Sequence, residues 1–164
     1  MKSSVEERNL FPAHQEREHE HIPQLLDKAF YLTESDLAHW YSIGNDGKIK
    51  CRKSKGIFIS SSCEDSNEDW VEFILDCQQM IVQNNRENPL FPELFLHRKM
   101  QSVLVYPLIT EGSISEILLL NSLETNHFGQ KILYKAVEFS AHALFVLTRF
   151  LQDRNHAKHS DSKK

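Results

Sequence analysis

The chain has 164 residues, of which 40% are hydrophobic and 26% charged, with a formal net charge of −4. This length suits one domain with a sizeable core, and the net charge gives no reason to expect nucleic acid or an anionic membrane as a partner. No apolar run approaches the roughly 18 residues of a membrane span, and the start of the chain lacks the apolar core of a signal peptide. We therefore expect a cytoplasmic, single-domain protein.

Motifs for catalysis and for metal binding are missing from the sequence. The three cysteines, Cys51, Cys63 and Cys77, make neither a disulfide framework nor a CxxC pair. All five glycines are isolated, so no phosphate-cradling loop is present. His19 and His21 lie in a charged run that lacks the HExxH spacing of a zinc site. We expect neither an enzyme nor a metalloprotein, and the sequence leaves the cofactor unknown.

The first third of the chain predicts a polar arm, a helix and a hairpin. Residues 1–21 are polar, and residues 22–33 then place apolar side chains on one face of a helix. A hairpin follows, with its turn at residues 44–47. The return strand, residues 48–55, carries five basic side chains. We expect an edge strand that is protected by its lysines, and a site for phosphate or nucleic acid is the alternative.

The middle of the chain predicts a helix and an unusually apolar connection. A capping-box spacing indicates a helix over residues 67–84, with Trp70 on its apolar face. The connection that follows holds two prolines and several large apolar side chains, among them Phe91 and Phe95. We expect this connection to form the lid of a ligand pocket.

Two apolar strands and a long helix make up the last third. Residues 101–109 and 114–120 are rich in Val, Ile and Leu and flank a glycine turn, which predicts a β-hairpin. Residues 131–151 then have helical periodicity with two adjacent apolar seams. One seam can cover the sheet, and the other needs a second partner. A disordered polar tail is expected over residues 152–164.

The second seam of the terminal helix predicts a homodimer. It should join residues 22–33 in a helical bundle across a two-fold axis. A single core within one chain is the alternative. The residues assigned to the dimer interface are Leu133, Val137, Leu144, Leu147 and Leu151.

The register of the predicted hairpin locates the ligand site. A two-residue turn at Glu111-Gly112 pairs Tyr106 with Ile117 and puts alternate side chains on one face. That face mixes apolar and hydrogen-bonding groups, as a small-molecule site requires. The opposite face, on which Glu116 is the only charge, should lie under the terminal helix. A packed second core is the alternative. The predicted ligand-binding residues are Ser102, Leu104, Tyr106, Ile117, Asn121, Trp70, Phe91 and Phe95.

The segment Ser102–Leu144 resembles the end of a GAF domain, a sensory module of signalling proteins. An apolar strand ends in Pro107-Leu108, a glycine turn leads to a second apolar strand, and Phe128 precedes a helix with recurring alanines. In the order of its elements the resemblance covers residues 20–152. It implies an α+β fold with an antiparallel sheet of five or six strands and flanking helices, in which the N- and C-terminal helices pack together.

The chain departs from the GAF domains that bind cyclic nucleotides. Asn121 and Phe128 fit their signature, but Ser122 replaces its lysine and Ile132-Leu133 replaces its acidic pair. Motifs for bilin attachment or a haem ligand are also missing. The resemblance implies a regulatory or sensory module at residues 22–151 that binds an unidentified small molecule and signals through a separate output protein. The alternative is a ligand-free interaction or dimerisation scaffold of the GAF, PAS or profilin-like kind.

Overall fold

A computed structural model describes residues 21–58 and 69–161, with side chains to residue 149. Residues 1–20 of the arm predicted over residues 1–21 lie outside these ranges, and within them the chain forms three α-helices and five strands. The three α-helices are α1 (His21–Leu32), α2 (Asp69–Cys77) and α3 (Gln130–Asp161). The five strands are β1 (Leu37–Ile43), β2 (Ile49–Gly56), β3 (Ile81–Gln83), β4 (Ser102–Thr110) and β5 (Ser113–Ser122), and a 3-10 turn spans Pro92–Leu94.

The strands form one antiparallel sheet in the order β2-β1-β5-β4-β3. Helices α1 and α3 pack against each other and cover one face of the sheet, which we call the α1/α3 face. Helix α2 and the connection between β3 and β4 cover the other face, which we call the α2 face. The predicted α+β fold, with paired N- and C-terminal helices, is therefore confirmed.

Helix α1 follows from the spacing of its apolar side chains. Ile22, Leu25, Leu26 and Ala29 recur at helical intervals and are all buried against α3 and the sheet. Burying each of the larger side chains contributes roughly 1.5–3 kcal/mol. The helix ends at Leu32 because Glu34 adopts a left-handed conformation (φ 51°) and the N–H of Ser35 turns back to bond the carbonyl of Phe30 at 3.1 Å.

The β4–β5 hairpin has the predicted turn but not the predicted register. Glu111 and Gly112 both have positive φ, as a two-residue hairpin turn requires. Beyond Ile109 and Ile114, however, a bulge at Ser115 shifts the pairing by one residue. Tyr106 therefore lies opposite Leu118 instead of Ile117. A shift of one residue moves a strand's side chains to the other face, so the β4 part of the predicted register is wrong.

Strand β2 lies at an edge of the sheet, as predicted. Its side chains Lys50, Arg52 and Lys53 are exposed there. Positive side chains on a free edge oppose pairing with strands of other molecules. Gly56, the last residue of β2, has a φ of +116°, and a Cβ added to this residue would lie 2.1 Å from the carbonyl oxygen of Asp36.

Two predicted boundaries differ from the structure. The helix expected over residues 67–84 ends at Cys77, because Gln78 adopts a left-handed conformation and the β-branched pair Ile81-Val82 continues as β3. Helix α3 continues to Asp161 and so extends into the segment from residue 152 for which a disordered tail is expected. Neither glycine nor proline occurs within α3, and nothing in its sequence ends the helix earlier.

Candidate functional site

The residues predicted to bind a ligand are divided between the two faces of the sheet. The buried cluster on the α2 face holds four of them, Trp70, Phe91, Phe95 and Ile117. Asn121 points to the same face, where it bonds the connection. The remaining three, Ser102, Leu104 and Tyr106, lie on the α1/α3 face because of the shifted register. The predicted site is therefore not assembled as a single surface.

The polar members of the predicted set bond other parts of the protein. The hydroxyl of Ser102 donates to the carbonyl of Glu124 at 2.7 Å. The hydroxyl of Tyr106 lies 2.8 Å from that of Ser140 on α3. These bonds connect the sheet to the segments that pack on it. The hydroxyls of Ser102 and Tyr106 therefore have structural roles on the α1/α3 face.

The connection predicted as a lid is held to the sheet by amide side chains. Asn121 accepts a hydrogen bond from the backbone N–H of Leu96 at 2.8 Å and donates to the carbonyl of Leu94 at 3.0 Å. Gln83 bonds the backbone of Phe91 in the same two-sided way, at 2.9 and 3.1 Å. Displacing the connection would break all four bonds, so it forms a fixed wall of the α2 face.

A second group of polar side chains on the α2 face was not found from the sequence. His39 on β1 lies opposite Ser54 on β2, so both side chains project from the same face. The ring nitrogen Nδ1 of His39 lies 3.0 Å from the hydroxyl of Tyr41, whose ring contacts Trp70 with centroids 5.8 Å apart. The signal available in the sequence was a single histidine within the otherwise apolar and aromatic segment Leu37–Tyr41.

Burial determines the chemistry of this polar group. It lowers the pKa of His39 from 6.5 to about 4, so the imidazole is neutral near pH 7 and offers one donor and one acceptor. The hydroxyl of Ser54 is buried and has no hydrogen-bond partner among the residues that the structure describes. The group therefore suits an uncharged, hydrogen-bonding molecule better than an anion.

A half-buried carboxylate lies on the opposite face. The indole N–H of Trp40 donates to Oε2 of Glu116 at 2.9 Å. Burial raises the pKa of Glu116 to about 7, and hydrogen bonds from Trp40 and Ser42 and the charge of Arg52 partly oppose this rise. A carboxyl group with such a pKa exchanges its proton near neutral pH.

Two cavities open at the surface, away from the interior of the α2 face. One of about 540 Å³ lies along α3 and is lined by Gln130, Lys131, Tyr134, Lys135 and Glu138. The other, of about 240 Å³, lies between α1 and β2 and is lined by Ile22, Pro23, Cys51, Arg52 and Lys53. Neither lining includes a predicted ligand-binding residue.

Residues 21–58 and 69–161 contain neither a metal-binding cluster nor a membrane-spanning helix. No group of three or more His, Cys, Asp and Glu side chains there could hold a metal ion. No helix within the same ranges is long and apolar enough to cross a membrane. Cys51 is disulfide-bonded, which the sequence analysis did not anticipate, and Cys77 carries a free thiol.

Comparison of the structure with solved structures identifies the fold. A GAF domain/HD domain protein from Geobacter sulfurreducens matches with a TM-score of 0.69, covering 82% of this chain and 94% of that one at 16% identity. The GAF domain of a two-component sensor histidine kinase from Bacillus halodurans matches with a TM-score of 0.64, covering 79% and 92% at 15% identity. The fold is that of a GAF domain.

The GAF-like fold is also found in an enzyme. A type II free methionine-R-sulfoxide reductase from Thermoplasma acidophilum matches with a TM-score of 0.66, covering 82% of this chain and 96% of that one at 16% identity. No family model and no curated protein matches the sequence itself. At these identities the structural matches establish the fold alone.

The predicted dimer seam of this GAF-like domain is largely used within the chain. Leu133, Leu144 and Leu147 are half-buried against the interior of the α1/α3 face, which also receives α1. Val137 is 49% exposed, and the side chain of Leu151 lies outside the described residues.

A different stripe of α3 exposes large apolar side chains. Tyr134 is 70% exposed and Phe145 is 65% exposed. Their eleven-residue separation places them on the same side of the helix, and Val137 lies next to them. We call Tyr134, Val137 and Phe145 the exposed stripe of α3; it shares only Val137 with the predicted seam.

Proposed function

We propose that this GAF-like domain is a cytoplasmic regulatory or sensory module without enzymatic activity. It binds a small ligand on the α2 face and signals to a separate protein through the exposed stripe of α3. The GAF domain of a sensor histidine kinase among the structural matches supports a sensory role. The ligand remains unidentified, and neither nucleic acid nor a membrane is required as a partner.

The observation that carries the ligand proposal is the polar group within an apolar interior. His39, Tyr41 and Ser54 bring a neutral imidazole and two hydroxyls to the α2 face beside the indole of Trp70. Small-molecule sites combine apolar walls with a few such groups. An unsatisfied buried hydroxyl costs about 1–3 kcal/mol. A ligand that bonds Ser54 recovers this free energy, which favours binding at this position.

Native mass spectrometry of the freshly purified protein tests this proposal. We expect a mass excess from a co-purified small molecule, and we expect Ser54→Ala and Tyr41→Phe to reduce it. Tyr106→Phe is the matched control, because it removes the same hydroxyl from the opposite face of the sheet. A mass excess that survives both α2-face substitutions and disappears in the control would contradict the proposed location.

The packing of the α2 face supports a second candidate, a ligand-free scaffold. Trp70, Phe91 and Phe95 are all buried in its interior, and the connection that carries two of them is bonded to the sheet. Native spectra without any bound molecule, from several expression hosts, would favour this candidate. The role of α3 in partner contact is common to both candidates.

A homodimer is the partner contact that we propose for α3. Tyr134, Val137 and Phe145 form an apolar stripe that a second copy of the same stripe can cover. We expect the double substitution Tyr134→Asp and Phe145→Asp to give a folded monomer in light scattering. Asn88→Asp, at an exposed position in the connection between β3 and β4, should leave the dimer intact. A wild-type monomer at high concentration would exclude this assembly.

A further inference from the structure

A half-buried carboxylate on the α1/α3 face has no part in the proposed function. Glu116 on β5 lies opposite Ser42 of β1 and Leu108 of β4. It accepts a hydrogen bond from Trp40, whose side chain is completely buried. This places an ionisable group at the margin of the interior on which α1 and α3 pack.

The surroundings of Glu116 offer little compensation for a negative charge. Apart from Ser140, which bonds Tyr106, the buried side chains that α1 and α3 contribute to this interior are apolar, and Leu108 of β4 is apolar too. On β1 the nearby polar groups are the indole of Trp40 and the hydroxyl of Ser42. The charged group that acts on Glu116 is Arg52 of β2, an exposed residue whose Nε donates to Ser42 at 2.9 Å.

We propose that Glu116 is a proton-binding site whose occupation controls how tightly α1 and α3 pack on the sheet. With the proton bound, the neutral carboxyl accepts from Trp40 and donates its O–H to the second lone pair of Ser42. After the proton leaves, the carboxylate requires hydration, which the apolar side chains of the two helices oppose. Loss of the proton therefore loosens this part of the helix layer.

The titration range of Glu116 makes this site responsive near neutral pH. Burial, the largest cause, raises its pKa from 4.5 to about 7. The folded protein therefore binds this proton roughly 300-fold more tightly than an unperturbed carboxyl group would. The contribution of this proton to the stability of the folded state is fully present below pH 4.5 and is lost as the pH rises through 7. Between these two pH values the unfolded chain holds fewer protons than the folded one.

Carbon-13 NMR of the wild-type protein provides the direct test. We expect the side-chain carboxyl signal of Glu116 to titrate with a midpoint near pH 7, and the indole signal of Trp40 to follow the same curve. Amide hydrogen exchange in α1 and the first half of α3, corrected for intrinsic rates, should be faster at pH 8 than at pH 6. A carboxyl midpoint below pH 5.5 would overturn the proposal, whatever the variants do.

Substitution of the carboxyl group separates this effect from other titrations. Glu116→Gln keeps the shape without the charge, so we expect its corrected exchange rates in the two helices to be equal at pH 6 and pH 8. Glu138→Gln, at an exposed position of α3, is the matched control and should keep the wild-type difference. If Glu116→Gln also keeps that difference, the proposal is wrong. Ligand retention on the α2 face is measured separately and does not enter these outcomes.

Discussion

The two interiors of this molecule use their buried polar groups differently. On the α2 face, Asn121 and Gln83 bond the backbone of a connection that has little secondary structure of its own. On the α1/α3 face, Tyr106 bonds Ser140 and Trp40 bonds Glu116, side chain to side chain, while Ser102 bonds the backbone of Glu124. The first arrangement fixes a loop, and the second joins strands and a helix that are already formed. We therefore expect the α2 face to be the more sensitive to loss of a polar group.

The two faces also respond to pH in opposite directions. His39 on the α2 face has a pKa lowered to about 4, whereas Glu116 on the α1/α3 face has a pKa raised to about 7. Between pH 4.5 and 6.5 the neutral His39 favours folding more as the pH rises, and Glu116 favours it less. The two contributions partly cancel in the wild type. Single substitutions are needed to see each of them.

The largest expected effect comes from Asn121→Ala on the α2 face. This change leaves the N–H of Leu96 and the carbonyl of Leu94 without their partner, at a cost of about 2–4 kcal/mol in the free energy of unfolding. Urea unfolding followed by circular dichroism measures it. Asn85→Ala, at an exposed position, is the control and should cost less than about 1 kcal/mol. Equal costs for the two variants would show that the connection is not held by Asn121.

A smaller effect is expected from His39→Gln, and it depends on pH. The wild type should lose stability relative to this variant as the pH falls from 6.5 towards 4, by about 2 kcal/mol at pH 5, because the unfolded chain takes up a proton that the buried imidazole refuses. Thermal unfolding at a series of pH values measures the difference. His142→Gln, an exposed histidine, should follow the wild type. A constant difference between wild type and His39→Gln at all pH values would contradict the burial of a neutral imidazole.

The hairpin shows how much of the fold the sequence predicts. The turn at Glu111-Gly112 and the faces of the β5 side chains from Glu116 to Asn121 agree with the prediction, whereas Ile114 lies on the α2 face instead of the predicted helix face. The faces of the β4 side chains are wrong, because the bulge at Ser115 is not visible in the sequence. Both faces of β4 are buried and apolar, so the usual alternation of polar and apolar residues carries no information on register there.

The candidate site was only partly predictable for a related reason. Trp70, Phe91 and Phe95 were correctly grouped on one side of the sheet, because large apolar residues in a connection have to be buried somewhere. The polar pair His39 and Ser54 was missed, since their proximity depends on the pairing of β1 with β2, which contains an irregularity of its own. Pairing of this kind comes from tertiary structure and not from local sequence.

The smallest expected effect, from Tyr106→Phe, decides between the two registers. In the observed register its hydroxyl bonds Ser140 on α3, so its removal should cost about 1 kcal/mol in the free energy of unfolding. Ligand retention in native mass spectrometry should not change, because the hydroxyl lies on the face away from the ligand. Urea unfolding of the wild type, both single variants and the double variant with Ser140→Ala gives the coupling energy between the two hydroxyls.

The control for Tyr106→Phe is Tyr134→Phe, which removes the same hydroxyl from a side chain that is 70% exposed. We expect it to change the free energy of unfolding by less than about 0.5 kcal/mol. If Tyr106→Phe instead released a bound molecule while its stability equalled that of the control, Tyr106 would line the ligand site. The bulge at Ser115 would then have to be absent, since only the unshifted register turns Tyr106 towards the α2 face.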